Sequence, residues 1–299
     1  MNNFNLVSVL HIITTEYKFK ILSPNRILIL RKVSTELKEL IDQIKPPTII
    51  RVKNNYFNII NIQPILLSQK NIVCISHLTL SRCNLQNEFI LLLVKKLSSS
   101  ESLKHLDISR NNLGDIGIEN LIKIISEYKT LEYLNIGYNN ITNKGIQLIT
   151  ETPICPTLRN LNISNNYFGD YKNYHNFSYI LKKPIIINYS ILEKLSIVNL
   201  SSNYIGNACI IKIAEVILNC SKLNYLNLSY NYISEEGISR ILSVLHKYKL
   251  SPIIYINLCG NCISQETAIR LFKEFENRKL STCINLFPVR FINSYDTVE

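Results

Sequence analysis

The sequence predicts an α/β solenoid of stacked strand-and-helix units, with a non-repeating segment capping its N-terminal end. Three observations predict it. An eleven-residue pattern, L-x-x-L-x-L-x-x-N/C-x-L, recurs along the chain in one register. The segments between its copies place apolar residues at helical spacing. No single unit can bury its own apolar faces, so the units must stack.

The cap comes first. In residues 1–45, Tyr17, Phe19 and Ile21 alternate, Ser23-Pro24-Asn25 reads as a turn and Ile27 to Leu30 follows, which predicts a β-hairpin. Ser34 then caps a helix bearing Leu37, Leu40, Ile41 and Ile44, ended by Pro46-Pro47.

The repeats follow. Four copies align directly: LKHLDISRNNL from Leu103, LEYLNIGYNNI from Leu131, LRNLNISNNYF from Leu158 and LNYLNLSYNYI from Leu223. Three more keep the frame: ISHLTLSRCNL from Ile75, LSIVNLSSNYI from Leu195 and IIYINLCGNCI from Ile253. Weaker units continue it at Ile50 and Ile284, and the steps between fourth positions are 28, 28, 28, 27, 37, 28, 30 and 28 residues. The L-x-L core reads as a strand with alternate side chains buried. The Asn after it bonds free backbone groups of the turn, and stacked copies form a ladder, with Cys83 at that position in the first strong repeat.

Each unit continues as a helix. Gly117, Ile118, Leu121, Ile122 and Ile125 follow Leu113 at helical spacing, and Gly145, Ile146, Ile149 and Gly237, Ile238, Ile241, Leu242, Leu245 repeat it. The glycine is read as room for the helix to approach the strand layer. The 37-residue step carries an insert at about 170–190, read as a candidate binding loop or a neutral expansion.

These repeats resemble the leucine-rich-repeat family, in its long-repeat, ribonuclease-inhibitor-like class, over roughly residues 46–290. The resemblance implies a horseshoe spanning 46–299, with a parallel sheet on the concave face, helices on the convex face and a degenerate C-terminal repeat. It further implies a non-enzymatic protein-interaction scaffold that would bind another protein, of unstated identity, across the concave face. The register lines that face with a third-position row, His77, His105, Tyr133, Asn160, Ile197, Tyr225 and Tyr255. A fifth-position row holds Thr79, Asp107 and five asparagines, read as repeat filler. At the eighth position stand Arg82, Arg110, Tyr138, Asn165, Ser202 and Tyr230. Tyr and Arg carry binding hot spots because they bury area and still hydrogen-bond, so the expected partner-binding residues are Arg82, Arg110, Tyr133, Tyr138, Tyr225, Tyr230 and Tyr255.

Other chemistry is scarce. His77 and His105 fall side by side near Asp107, but without a metal-spacing motif they read as solvent- or partner-facing. Cys259 and Cys262 form a lone C-x-x-C in a strand-turn rather than at a helix start, and the eight cysteines lack the spacing of a disulfide framework. Free thiols suit a reducing compartment, so a cytoplasmic location is expected, with the nucleus open. Sequons at Asn140, Asn162, Asn199 and Asn227 follow from an Asn-rich composition and are read as unglycosylated. No phosphate loop, dinucleotide fingerprint or serine elbow appears, and no cofactor is expected. The longest apolar run, Phe89 to Val94, is too short to span a bilayer, and Leu6 to Ile13 lacks the basic lead of a signal peptide.

Charge frames two rival readings. The net charge is +11, of which residues 1–70 hold +6 from ten basic and four acidic side chains. Nucleic-acid binding through this basic cap is one alternative, though no recognisable module accompanies the charge. The other is regulation of a small GTPase. The same repeat class includes the Ran GTPase-activating proteins, and that resemblance points to Arg82 or Arg110 as the acting residue. The acidic tail of that family has no counterpart in this sequence.

Overall fold

The computed structural model describes residues 48–53, 75–85, 87, 90, 91, 93, 102–126, 128–152, 155–170, 189–217, 219–248, 255–277 and 284–288. The expected cap over 1–45 and nearly all of the expected insert lie outside the described residues.

Among the described residues, nine strands form one parallel sheet in chain order: β1 (Thr48–Lys53), β2 (Ile75–Ser81), β3 (His105–Asp107), β4 (Tyr133–Asn135), β5 (Asn160–Asn162), β6 (Ile197–Asn199), β7 (Tyr225–Asn227), β8 (Tyr255–Asn257) and β9 (Ile284–Asn285). The weak units at Ile50 and Ile284 thus contribute strands to the same sheet in the repeat register, Ile50 opposite Leu78 and Ile284 opposite Ile256. The pairing register is the repeat register: Leu78, Leu106, Leu134, Leu161, Val198, Leu226 and Ile256 stand opposite one another, and all are buried. The 37-residue step keeps this register, because Asn160 still pairs with Ile197 and Leu161 with Val198.

Among the described residues, helices α1 (Gly114–Ile125), α2 (Asn143–Glu151), α3 (Asn207–Ile217), α4 (Glu235–Tyr248) and α5 (Gln265–Asn277) cover one side of the sheet. Their inward residues follow the predicted spacing: Ile118, Leu121, Ile122 and Ile125 are buried on α1, and Ile238, Ile241 and Leu242 on α4. In the repeat that carries the insert, the described part of the return is a 3-10 helix, Tyr189–Lys194, with Leu192 buried.

Two polar ladders hold the repeats together. In the first, the asparagines after the strands are buried, and each amide spans two repeats. Asn139 donates through Nδ2 to the carbonyls of Ile108, Ile136 and Gly137 at 3.1–3.3 Å, and its Oδ1 accepts from the Asn111 N–H at 3.0 Å. Asn166, Asn203 and Asn231 repeat the pattern, and the Asn166 N–H reaches Asn203 across the long step at 3.0 Å. Among the described residues the first member of the ladder is Cys83, whose N–H donates to Asn111 while its thiol donates to the Ser81 carbonyl.

The second ladder caps the helices. Asp115 accepts from the N–H groups of Thr142 and Gly145 at 2.8 and 3.0 Å, so the first turn of α1 caps α2. Asp170 likewise accepts from Gly206 and Ala208 before α3, and Asn207 from Ser234 before α4. Free N–H groups and the helix dipole both favour an anionic acceptor there. This revises the role of the glycines. A Cβ on Gly145 would collide with the Asp115 carboxylate, and one on Gly237 would lie 2.7 Å from Asn207 Oδ1. They admit the neighbouring repeat's cap rather than the strand layer.

Asn139→Ala leaves several buried backbone groups without a partner, each of which costs ~1–3 kcal/mol. Urea unfolding should show a loss of at least about 3 kcal/mol, and a loss below about 1 kcal/mol would show that the ladder is dispensable.

Candidate functional site

The sheet face opposite the helices is the candidate site, and strand geometry decides what it displays. In each three-residue strand the middle residue is buried while its neighbours are half-buried or exposed. The third-position residues thus stand in one row, about 4.8 Å apart from strand to strand. Their rings stack. His77 and His105 have centroids 5.5 Å apart, and His105 lies on Tyr133 at 4.0 Å, nearly parallel. Tyr225 and Tyr255 stack at 5.6 Å.

The fifth-position row has a structural task that the filler reading missed. Asn135, Asn162, Asn199, Asn227, Asn257 and Asn285 each accept, through Oδ1, the N–H two residues ahead at 3.0–3.2 Å. The bond fixes the turn that leaves the strand. Asp107 does the same to Ser109, adding a 2.7 Å bond from its hydroxyl, so this carboxylate is engaged by its own turn. The sequons at Asn162, Asn199 and Asn227 therefore fall on half-buried side chains already bonded to backbone.

The eighth-position row has an unusual backbone. Arg82, Arg110, Tyr138, Asn165, Ser202 and Tyr230 all have φ of 54–64°, and Gly260 has 67°. The left-handed turn aims each N–H at the next repeat, as from Arg82 to the Ser109 carbonyl at 3.0 Å and from Arg110 to the Gly137 carbonyl at 2.9 Å. Bulky residues meet roughly 1–2 kcal/mol of strain in this region, while Gly adopts it freely and Asn is tolerated. Side chains here leave the sheet for solvent: Arg82, Arg110, Tyr138 and Tyr230 are all exposed, Tyr230 by 54%. The Arg110 guanidinium lies 3.7 Å above the centre of the Tyr138 ring. The Tyr230 ring lies over Gly260, where a Cβ would approach it to 2.6 Å.

The seven expected residues thus form two patches. Arg82, Arg110, Tyr133 and Tyr138 gather over β2–β4, and Tyr225, Tyr230 and Tyr255 over β7–β8. Between them the third-position row holds Asn160 and Ile197, the latter 41% exposed. Sequence reasoning missed a further row beside the Asn ladder. Tyr167, Tyr204 and Tyr232 line up there, with Tyr204 and Tyr232 stacked at 5.6 Å. The signal was the Asn-Tyr dipeptide of three successive repeats.

Tyr133, Cys83 and Cys220 are shifted toward their neutral forms. Burial, then the Asp107 charge, raise the Tyr133 hydroxyl above its ordinary value against an opposing hydrogen bond with Asn135. Burial, then Asp107, push the Cys83 thiol up to about 12, and burial, then Glu193, push Cys220 to about 12. Cys259 and Cys262 are not joined in a disulfide. Among the described residues no group of three or more His, Cys, Asp or Glu side chains is placed to hold a metal ion. No described helix is long and apolar enough to cross a membrane.

Comparison with known proteins bears on the repeats. A family model for the leucine-rich repeat matches residues 99–121, 129–149 and 219–242. No curated protein matches the chain. Among solved structures, one described as leiomodin-1 actin-binding site 2 is similar at 14% identity and a TM-score of 0.38, covering 72% of this chain and 97% of its own. A likeness that distant carries no argument about partners.

Thiol chemistry checks the burial. A pKa near 12 leaves about a thousandfold less thiolate than the ordinary value of 9.0, so Cys83 and Cys220 should resist iodoacetamide at pH 8 until the chain unfolds. Cys262, only half-buried, should label first among the described cysteines. Rapid labelling of Cys83 in the native protein would contradict this packing.

Proposed function

We propose, from the premise that this chain is a leucine-rich-repeat protein, that it is a non-enzymatic scaffold binding another protein across the open face of its sheet. The observation that carries the reading is the display of aromatic side chains there. Tyr225, Tyr230 and Tyr255 are held in register by β7, β8 and the turns after them, yet Tyr230 is 54% and Tyr255 36% exposed, and Ile197 beside them is 41% exposed. Stacked tyrosines already ordered in the free protein lose little side-chain entropy on binding and retain a hydroxyl for a hydrogen bond. The fifth-position polar groups of the face are occupied by the fold, because Asp107 and the asparagine row close the turns. That favours contact over catalysis. The described cysteines form no disulfide with one another, which suits a reducing compartment such as the cytoplasm.

Affinity capture with mass spectrometry tests the reading with three forms of the protein. These are the wild type, Tyr225→Ala/Tyr255→Ala on the open face, and Ile269→Ala on the helical side, each with circular dichroism as a folding check. The reading expects a specific protein to be lost from the double variant and retained by the helical one. Equal capture by all three forms would remove the open face as the binding surface.

A further inference from the structure

We infer that the N-terminal patch of the open face is an anchor for an acidic protein segment, gripped by Arg82 and Arg110. The inference rests on the scaffold reading and adds the chemistry of the partner. Its first support is placement. The two arginines occupy the same turn position of adjacent repeats, and their backbones are tied to successive strands by the bonds from Arg82 to Ser109 and from Arg110 to Gly137. Their Cα atoms are thereby fixed about one strand spacing apart, ~4.8 Å, with both side chains exposed. Two exposed like charges on adjacent turns make a positive patch that favours an anionic partner.

The second support is that no described residue supplies such an anion. The ion pairs among the described residues are Lys104–Glu132, Lys123–Glu119, Lys212–Glu215 and Arg270–Glu235, and neither Arg82 nor Arg110 enters one. Asp107, the carboxylate of the same repeat as Arg110, is bonded to Ser109. Pre-organisation is the third support. Arg110 sits over the Tyr138 ring at 3.7 Å, a contact that orders the guanidinium while its N–H groups can still make a bidentate bond to a carboxylate. The turn itself does not call for arginine, since Asn165 and Gly260 hold the same left-handed position in later repeats.

The second patch sets the rest of the footprint. From Arg110 after β3 to Tyr225 on β7 is four strand spacings, about 19 Å, which an extended chain covers in roughly six residues. The structure thus assigns the partner an extended segment with carboxylates over β2–β4 and an apolar side chain about six residues away over Ile197, Tyr225 and Tyr255.

Fluorescence anisotropy on the full chain tests this with three labelled probes. One is a twelve-residue peptide with four glutamates at one end and a Leu-Phe pair at the other. The second replaces the glutamates by glutamines, and the third is a single-stranded DNA of equal charge. Arg82→Asn/Arg110→Asn is the informative variant, because Asn suits the left-handed turn and preserves the fold, as circular dichroism will verify. The expected result is binding of the acidic peptide that weakens with salt and falls roughly tenfold or more in the variant. The glutamine peptide should bind the two forms equally. No binding of the acidic peptide, equal binding by wild type and variant, or tighter binding of the DNA would each overturn the inference. Loss of cellular partners from Tyr225→Ala/Tyr255→Ala but not from the arginine variant would leave the scaffold standing and remove only its acidic partner. Retention by both variants would remove both.

Discussion

A buried amide that serves two repeats at once is the constraint on which this molecule depends. The turn after each strand runs inward, where its N–H and C=O groups have no water. Asn139 satisfies them from both sides, donating to carbonyls of its own repeat and the preceding one while accepting the N–H of Asn111. Because the same side chain closes the turn and reaches the neighbour, the spacing of the repeats and the shape of the turn are set together. The left-handed residues follow from that geometry, since the residue before each Asn must swing its N–H onto the next repeat. Whatever stands there is carried to the surface in register with its neighbours. A structural demand in the interior thereby produces an ordered row of exposed side chains.

Such an arrangement is quasi-one-dimensional, because each repeat meets only its neighbours. The helix-capping ladder has the same character: Asp115, Asp170 and Asn207 each belong to one repeat and stabilise the helix of the next. Long-range order arises from a chain of short-range bonds. This is why nine extra residues in one unit leave the sheet undisturbed. The bonds that matter at that step, Asn160 beside Ile197 and Asn166 to Asn203, lie before and after the insertion. The face remains continuous across it, so the basic and aromatic patches are separated by a fixed distance.

Much of this was legible in the sequence because apolar periodicity and ladder position are strict. Leu106, Leu134 and Leu226 could occupy only the core, and once they did, His105, Tyr133 and Tyr225 had to face outward. What escaped reading depends on pairs of residues in different repeats. Asp115 looks like an ordinary acidic residue of a first helical turn, and only its distance to Gly145 shows that it caps the next helix. Gly145 and Gly237 looked like packing glycines for the related reason that the atom they avoid lies about thirty residues earlier. The asparagine row looked like filler because its bonds are local and leave no periodic signature beyond the residue itself. The division of the face into two patches depends on which side chain fills a tolerant position, and the repeat pattern does not restrict that choice.

Native-state amide exchange followed by NMR tests the central claim most directly. The N–H groups of Cys83, Asn111, Asn139, Asn166 and Asn203 lie in turns, where exchange is ordinarily fast, yet each donates to a ladder amide. If the ladder holds the repeats together, these amides exchange as slowly as those of the central strands, through openings that release neighbouring repeats together. Exchange at ordinary turn rates, with the strands still protected, would contradict the account and leave apolar packing alone to set the register.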